Sequence, residues 1–274
     1  MHRVRSRNGF IRYALVATVG LAAGAGGVWT VGQSIRGTSP RRDAVTTHGE
    51  WVYIKKAGGD SVRAYVAYPE RKDKAPAVIV IHEIFGLSDW EPTVVDKLAG
   101  EGYVAIVPDL LSSRFGITPS DPDSGRKLTA QLAPEAVTAD LDAAYAYVNG
   151  LPAVRKDDVG TIGFCWGGGQ SFRYATTNPH LKAAVVCYGP PPDSAALAQI
   201  NAKVLGVYGE SDARIDQTLP TVSAQMKALK KSYAYDVYPG TGHGFIKPGR
   251  QGSDGDQPAK AWEKILAFYK TNLK

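Results

Sequence analysis

Between residues 49 and 274, short apolar runs alternate with longer stretches whose apolar residues recur three or four positions apart. The first two runs, Glu50–Lys56 and Ser61–Tyr68, flank Gly58-Gly59-Asp60, a turn composition that predicts a β-hairpin. Ala77-Val78-Ile79-Val80-Ile81 has no polar position, as expected of a strand covered on both faces. Further strands are predicted at Tyr103–Val107, Val159–Phe164, Ala183–Tyr188, Val204–Tyr208 and Ala234–Tyr238. Helices are predicted between them. One spans Asp89–Gly100, and another, Glu135–Val148, carries Val137, Leu141, Ala144 and Val148 on one face. A third follows Phe164 and runs to about Thr177, and two more cover Asp216–Lys230 and Asp256–Tyr269. Strands alternating with helices predict an α/β fold: a mostly parallel, doubly wound sheet with helices on both faces. No long internal repeat is visible.

The amino-terminal pattern is different. Four Arg fall within Met1–Arg12, and Tyr13 to Ile35 then contains no charged side chain. A basic start followed by an apolar stretch predicts that residues 1–36 are an export signal or a membrane anchor. Five glycines make the stretch only weakly hydrophobic. Cleavage after small residues near Ala23–Ala25 would release a soluble exported protein. Retention would tether it through residues 13–35, with the Arg cluster cytoplasmic and the folded domain outside. No Arg-Arg pair precedes the apolar run, so a twin-arginine signal is not supported. Residues 37–48 read as a polar linker, leaving 49–274 as one catalytic domain.

Charge follows the same division. The net charge of +6 comes from seven Arg in residues 1–42, a segment with no Asp, Glu or Lys; the remainder holds 25 basic against 26 acidic side chains. The folded domain therefore offers no basis for nucleic acid binding. Two cysteines are too few for a disulfide framework. Cys187 lies in an apolar run and reads as a small buried residue. The sequence leaves a Cys165–Cys187 disulfide open.

In open α/β sheets, ligands bind beyond the carboxyl ends of the strands. The chemically suggestive residues of this chain fall there. Gly163-Phe164-Cys165-Trp166-Gly167 has the form Gly-x-nucleophile-x-Gly, in which a sharp strand-to-helix turn exposes the nucleophile and small flanking residues avoid backbone collision. Other readings of the loop are a tight structural turn with an inert Cys, or a phosphate loop. The latter lacks its Lys-Ser/Thr, and the spacing misses the dinucleotide fingerprint. A hydrolase built on such an elbow places an acid and then a His after later strands. Gly209-Glu210-Ser211-Asp212 follows one and Gly240-Thr241-Gly242-His243 follows the next. Asp212 is the candidate acid, with Glu210 and Asp216 as local rivals. His82-Glu83 lacks the second His of a zinc motif, because Phe85-Gly86 occupy those places. No metal or other cofactor is called for.

Taken in order, His82-Glu83-Ile84-Phe85-Gly86-Leu87, Pro108-Asp109-Leu110, Gly163-Phe164-Cys165-Trp166-Gly167-Gly168, Gly209-Glu210-Ser211-Asp212 and Gly242-His243-Gly244-Phe245 resemble the dienelactone hydrolase family. The resemblance runs from about Glu50 to the carboxyl end. It implies an α/β-hydrolase fold and cleavage of a small ester or lactone, with carboxymethylenebutenolidase activity as the specific expectation. It also implies roles. Cys165 would be the nucleophile, His243 its acid/base partner, Asp212 the residue orienting His243, and Glu83 a group that holds or switches the protonation of the thiol. The backbone amides of Ile84 and Trp166 would form the oxyanion hole. The family's dienelactone-cleaving branch has an arginine four residues after the His, which helps to hold the substrate's carboxylate. Here Lys247 stands in that place, keeping the charge without the two-pronged geometry, and Arg126 is a second candidate cation for substrate binding. Two further readings are a tethered binding protein that keeps the fold without catalysis, and an acyltransferase.

Overall fold

A computed structural model describes residues 46–56 and 59–274. The predicted leader, residues 1–36, and nearly all of the linker lie outside the described residues. No helix among the described residues is long and apolar enough to cross a membrane.

Eight strands form one sheet: β1 (Thr47–Lys55), β2 (Ser61–Pro69), β3 (Ala75–Ile81), β4 (Val104–Pro108), β5 (Val154–Phe164), β6 (Ala183–Cys187), β7 (Lys203–Gly209) and β8 (Tyr233–Tyr238). Their order is β1-β2-β4-β3-β5-β6-β7-β8. The β1–β2 and β2–β4 pairings are antiparallel and the others parallel. The predicted hairpin is present: Lys55 stands opposite Ser61, and Gly59 takes φ +92°, open to glycine without strain. β1 begins at Thr47, two residues inside the stretch read as linker.

Helices cover both faces, as predicted. On one side lie α4 (Pro134–Gly150), α5 (Trp166–Thr177) and α7 (Leu219–Ala228); on the other lie α1 (Trp90–Gly100) and α8 (Gln257–Asn272). Alternate strand residues point to opposite layers. Ile79, Ile81 and Ile106 pack with Val137, Leu141 and Val148 of α4, whereas Val78, Val80 and Val107 pack with Val95 and Leu98 of α1 and Ile265 of α8. This double covering explains why β3 is apolar throughout. Each such buried Val, Leu or Ile side chain contributes about 1.5–3 kcal/mol of hydrophobic stabilisation.

Several elements depart from expectation. β5 starts at Val154 rather than Val159, because its polar first half pairs through backbone with Ala75 and leaves its side chains near the sheet's lower rim. There Arg155 binds Asp158, which in turn accepts from the Lys274 N–H. The predicted helix at Asp216–Lys230 is two pieces, α6 (Ala213–Asp216) and α7, with Pro220 in the first turn of the second. Short helices α2 (Ser112–Phe115) and α3 (Pro122–Thr129) and a 3-10 turn at Ser194–Gln199 went unpredicted. They are too brief for periodicity to show.

The parallel strands all end at one rim of the sheet, and the loops leaving that rim carry the candidate residues. The chain enters the fold at the opposite rim, where Thr47 pairs with Pro69.

Candidate active site

Cys165 sits between the last residue of β5 and the first of α5 at φ 56° and ψ −118°. A non-glycine residue at positive φ is strained. The packing around it shows what enforces the bend. A Cβ on Gly163 would lie 1.9 Å from the Gly167 carbonyl oxygen, and one on Gly167 would lie 2.3 Å from that of His82. Gly168 and Gly189 approach as closely, since a Cβ on Gly189 would lie 2.2 Å from the Gly169 nitrogen. The Cys165 N–H donates to the Cys187 carbonyl at 3.0 Å, tying the turn to β6. Both cysteines are free; Cys165 is part-exposed, and Cys187 is fully buried. Burial pushes the Cys187 thiol well above its usual pKa.

His243 and Asp212 arrive from the loops after β8 and β7. His243 Nδ1 and Asp212 Oδ2 are 2.5 Å apart, and the carboxylate is only 7% exposed. This bond leaves Nε2 for the sulfur. The His243 pKa is raised to about 9, chiefly by hydrogen bonding to Cys165; burial opposes this and Asp212 reinforces it. Neither rival of Asp212 bonds to the ring. Glu210 accepts from the Gly240 N–H, and Asp216 pairs with no cation among the described residues.

Glu83 is nearly buried at the end of β3, and its Oε2 accepts from Lys247 Nζ at 2.7 Å. Lys247 also lies 5.0 Å from the centre of the Trp90 ring. The sequence pointed to Lys247 as a substrate cation; here it is the counter-ion of Glu83. Arg126 is an exposed residue of α3 that pairs with Asp123 one turn away. Trp166 opens α5, so its amide is among those that a helix start leaves without an internal acceptor. The Ile84 amide has no backbone or side-chain acceptor among the described residues.

Three residues to which the sequence reading gave no role, His82, Asp109 and Tyr188, shape the site. His82, fully buried, sets Nδ1 against the Glu83 carbonyl at 2.8 Å and accepts from the Leu110 N–H at Nε2, which assigns a neutral ring protonated at Nδ1. It stacks on Trp166 and so braces both amide-bearing turns. Asp109 accepts from the Leu111 and Thr118 amides and the Thr118 hydroxyl, while Thr118 Oγ1 accepts from the Leu87 N–H. That clamp fixes the loop after Glu83. Tyr188, at φ 42°, sets its ring edge-on to His243 with centroids 5.2 Å apart; its buried hydroxyl has no partner. Among the described residues no group of His, Cys, Asp and Glu is arranged to hold a metal ion.

The arrangement is a sulfur at a strained turn, an imidazole beside it, a buried carboxylate behind the imidazole, and amides from two turns nearby. The profile of the "Dienelactone hydrolase family" matches residues 62–273. A "Putative carboxymethylenebutenolidase" of Salmonella typhimurium is 36% identical over 229 residues, covering 77% of this chain and 83% of its own length. One of Synechocystis is 31% identical over 230 residues, covering 78% and 93%. The crystal structure of a "Putative Dienelactone Hydrolase" from Klebsiella pneumoniae superposes with a TM-score of 0.74 at 30% identity, covering 82% of this chain and 99% of that one. That α/β-hydrolase fold, this residue order and these relatives agree: the chain belongs to the dienelactone hydrolase family, a family of ester and lactone hydrolases.

Proposed function

We propose that this hydrolase works through a thioester on Cys165, with carboxymethylenebutenolidase-type lactone cleavage as its activity. The observation that carries the reading is a His243 held at Nδ1 by Asp212 and raised in pKa with Cys165 as the largest cause, on the loop that faces the strained Cys165 turn. Thiolate attacks carbonyls and thiol does not. An imidazole with its pKa raised to about 9 is mostly protonated at neutral pH and stabilises a neighbouring thiolate. An unscreened Glu83 carboxylate would oppose that thiolate; Lys247 supplies the screening charge.

The sulfur adds to the carbonyl carbon, and the oxygen becomes an oxyanion received by the Ile84 and Trp166 amides. Loss of one such donor costs about 10²–10³ in rate. The tetrahedral species collapses to a thioester as the His243 imidazolium gives its proton to the departing alkoxide. Neutral His243 then takes a proton from water, hydroxide adds to the thioester, and the carboxylic acid leaves as the thiolate is restored. Asp212 holds the ring's Nδ1–H throughout. The ring-opened product of a lactone forms by the same steps.

The test is hydrolysis of p-nitrophenyl acetate and of small lactones, with mass spectrometry of the protein during turnover. The wild type should carry one acyl group, mapped to the peptide containing Cys165. Cys165→Ala should lose turnover, and Cys165→Ser should keep only a small fraction, since the hydroxyl is far less acidic. Full turnover by the Ala variant would exclude the sulfur from the mechanism.

A further inference from the structure

The charge of the folded domain is nearly balanced, yet it is sorted between the two rims of the sheet. At the rim where the parallel strands begin, residues 69–74, 100–103, 151–158, 178–182, 201–203, 229–232 and 270–274 hold eleven Lys and Arg against five Asp and Glu. At the active rim the proportions are reversed. Residues 56, 60, 82–89, 109–121, 188–193, 209–216 and 239–256 hold five Lys and Arg against eleven Asp and Glu. The C-terminal ends of α4, α5, α7 and α8 face the basic rim, each with about half a negative charge. They offset about two of the surplus cations and leave the rest.

The cations form a row. The Lys182 N–H donates to the Val159 carbonyl at 3.0 Å, and the Lys203 N–H donates to the Lys182 carbonyl at 2.9 Å. These lysines therefore stand on neighbouring strands, about 5 Å apart along the rim. Lys156 and Lys274 line one cavity of about 640 Å³ with them, and Lys230 and Lys231 precede β8. All four lining lysines are exposed, and among the described residues no carboxylate lies within ion-pair distance of them. The acids in that cavity have other partners: Asp158 binds Arg155, and Asp157 accepts from the Asn149 amide. Like charges side by side repel, so the row costs stability in the free domain. Leu229, 40% exposed beside Lys230, adds an apolar side chain to the same rim.

This rim also receives the chain, since Thr47 pairs there with Pro69. Eleven residues, 36–46, separate that point from the uncharged run Tyr13–Ile35, a reach of at most about 40 Å. If that run anchors the chain, the lysine row stays near the headgroups at high effective concentration. A row of ammonium groups without an exposed Phe, Tyr or Trp beside it suits headgroups better than bases.

We propose that the rim where the parallel strands begin docks on an anionic phospholipid bilayer through the lysines of β5–β8. The acidic active rim is repelled by the same surface, which gives the docked enzyme one orientation. The proposal is independent of the thioester reading.

The experiment reconstitutes the full chain into vesicles of phosphatidylcholine, alone or with about a third phosphatidylglycerol. Sparse acetylation of lysines, read by mass spectrometry, reports which side chains the bilayer covers. On the anionic vesicles Lys156, Lys182 and Lys203 should react about fivefold more slowly, the gain in affinity of one lysine near such a surface. Salt at about 1 M, where the Debye length is about 3 Å, should remove the protection. Lys127 and Lys260, exposed on α3 and on the first turn of α8, should react equally on both lipids. Lys182→Gln with Lys203→Gln should restore the reaction of Lys156. Equal rates at the rim on the two lipids, or equal protection of Lys127 and Lys260, would overturn the proposal. So would protection by duplex DNA where anionic vesicles give none, which assigns the row to nucleic acid. A chain that does not sediment with phosphatidylcholine counts only against the anchor, and the rates on phosphatidylglycerol still decide the docking.

Discussion

At the scale of single residues, His243 makes the proposed chemistry measurable. Its folded-state pKa of about 9 exceeds its ordinary value of 6.5. The protonated ring therefore adds stability that is complete below about pH 6.5 and disappears as pH rises through about 9. A proton NMR titration of the imidazole should find its midpoint near 9 in the wild type and lower in Cys165→Ala, which removes the largest raising influence. An unchanged midpoint would acquit the sulfur. Cys165 and His243 were legible in the sequence because each occupies a glycine-rich turn after an apolar run. Asp212 was legible only as one of three nearby acids. What separates it is direction, since its carboxylate meets the ring while Glu210 turns to the Gly240 amide. His82 was visible only as a strand-end His without a role, and the edge-on Tyr188 not at all, because their roles depend on partners dozens of residues away.

At the scale of elements, the β5–α5 bend shows a fold dictated by what is missing from side chains. Gly163 and Gly167 are glycines because the backbones of the turn and of β3 occupy the space of a Cβ. Gly163→Ala should cost about 2–3 kcal/mol or more in urea unfolding, since backbone rather than a flexible side chain must yield. Gly150→Ala, at a helix end with nothing within 4 Å of the added atom, should be neutral or stabilising by up to about 1 kcal/mol. Equal effects at both positions would show that the crowding at the turn is not real. The strands were readable wherever both faces are buried, as in β3, and misjudged where only backbone pairing holds them, as in the polar start of β5. Similarly, the break between α6 and α7 is a local matter of Pro220 in the first turn of α7 that a smooth apolar periodicity conceals.

At the scale of the whole molecule, the Glu83–Lys247 pair joins positions 164 residues apart and fastens the His243 loop to the end of β3. The carboxylate is 4% exposed as a side chain, so removing its partner strands a buried charge. Lys247→Ala should destabilise the fold by about 3–5 kcal/mol. Lys247→Ala combined with Glu83→Gln should cost less than the two changes summed, a coupling that denaturant melts of the four proteins would measure. The mostly parallel sheet and its double covering followed from alternation alone; the order of the strands and this fastening did not, because nothing in a linear pattern announces which distant strands or charges meet. The two rims have a practical corollary. β3 has seven residues, so the sheet is about 20 Å deep from the edge where Thr47 enters to the edge where Cys165 stands. A support attached directly at Thr47 would lie against the far edge and leave the mouth toward the bulk liquid. The same attachment placed in the loop of His243 would press that mouth against its own support.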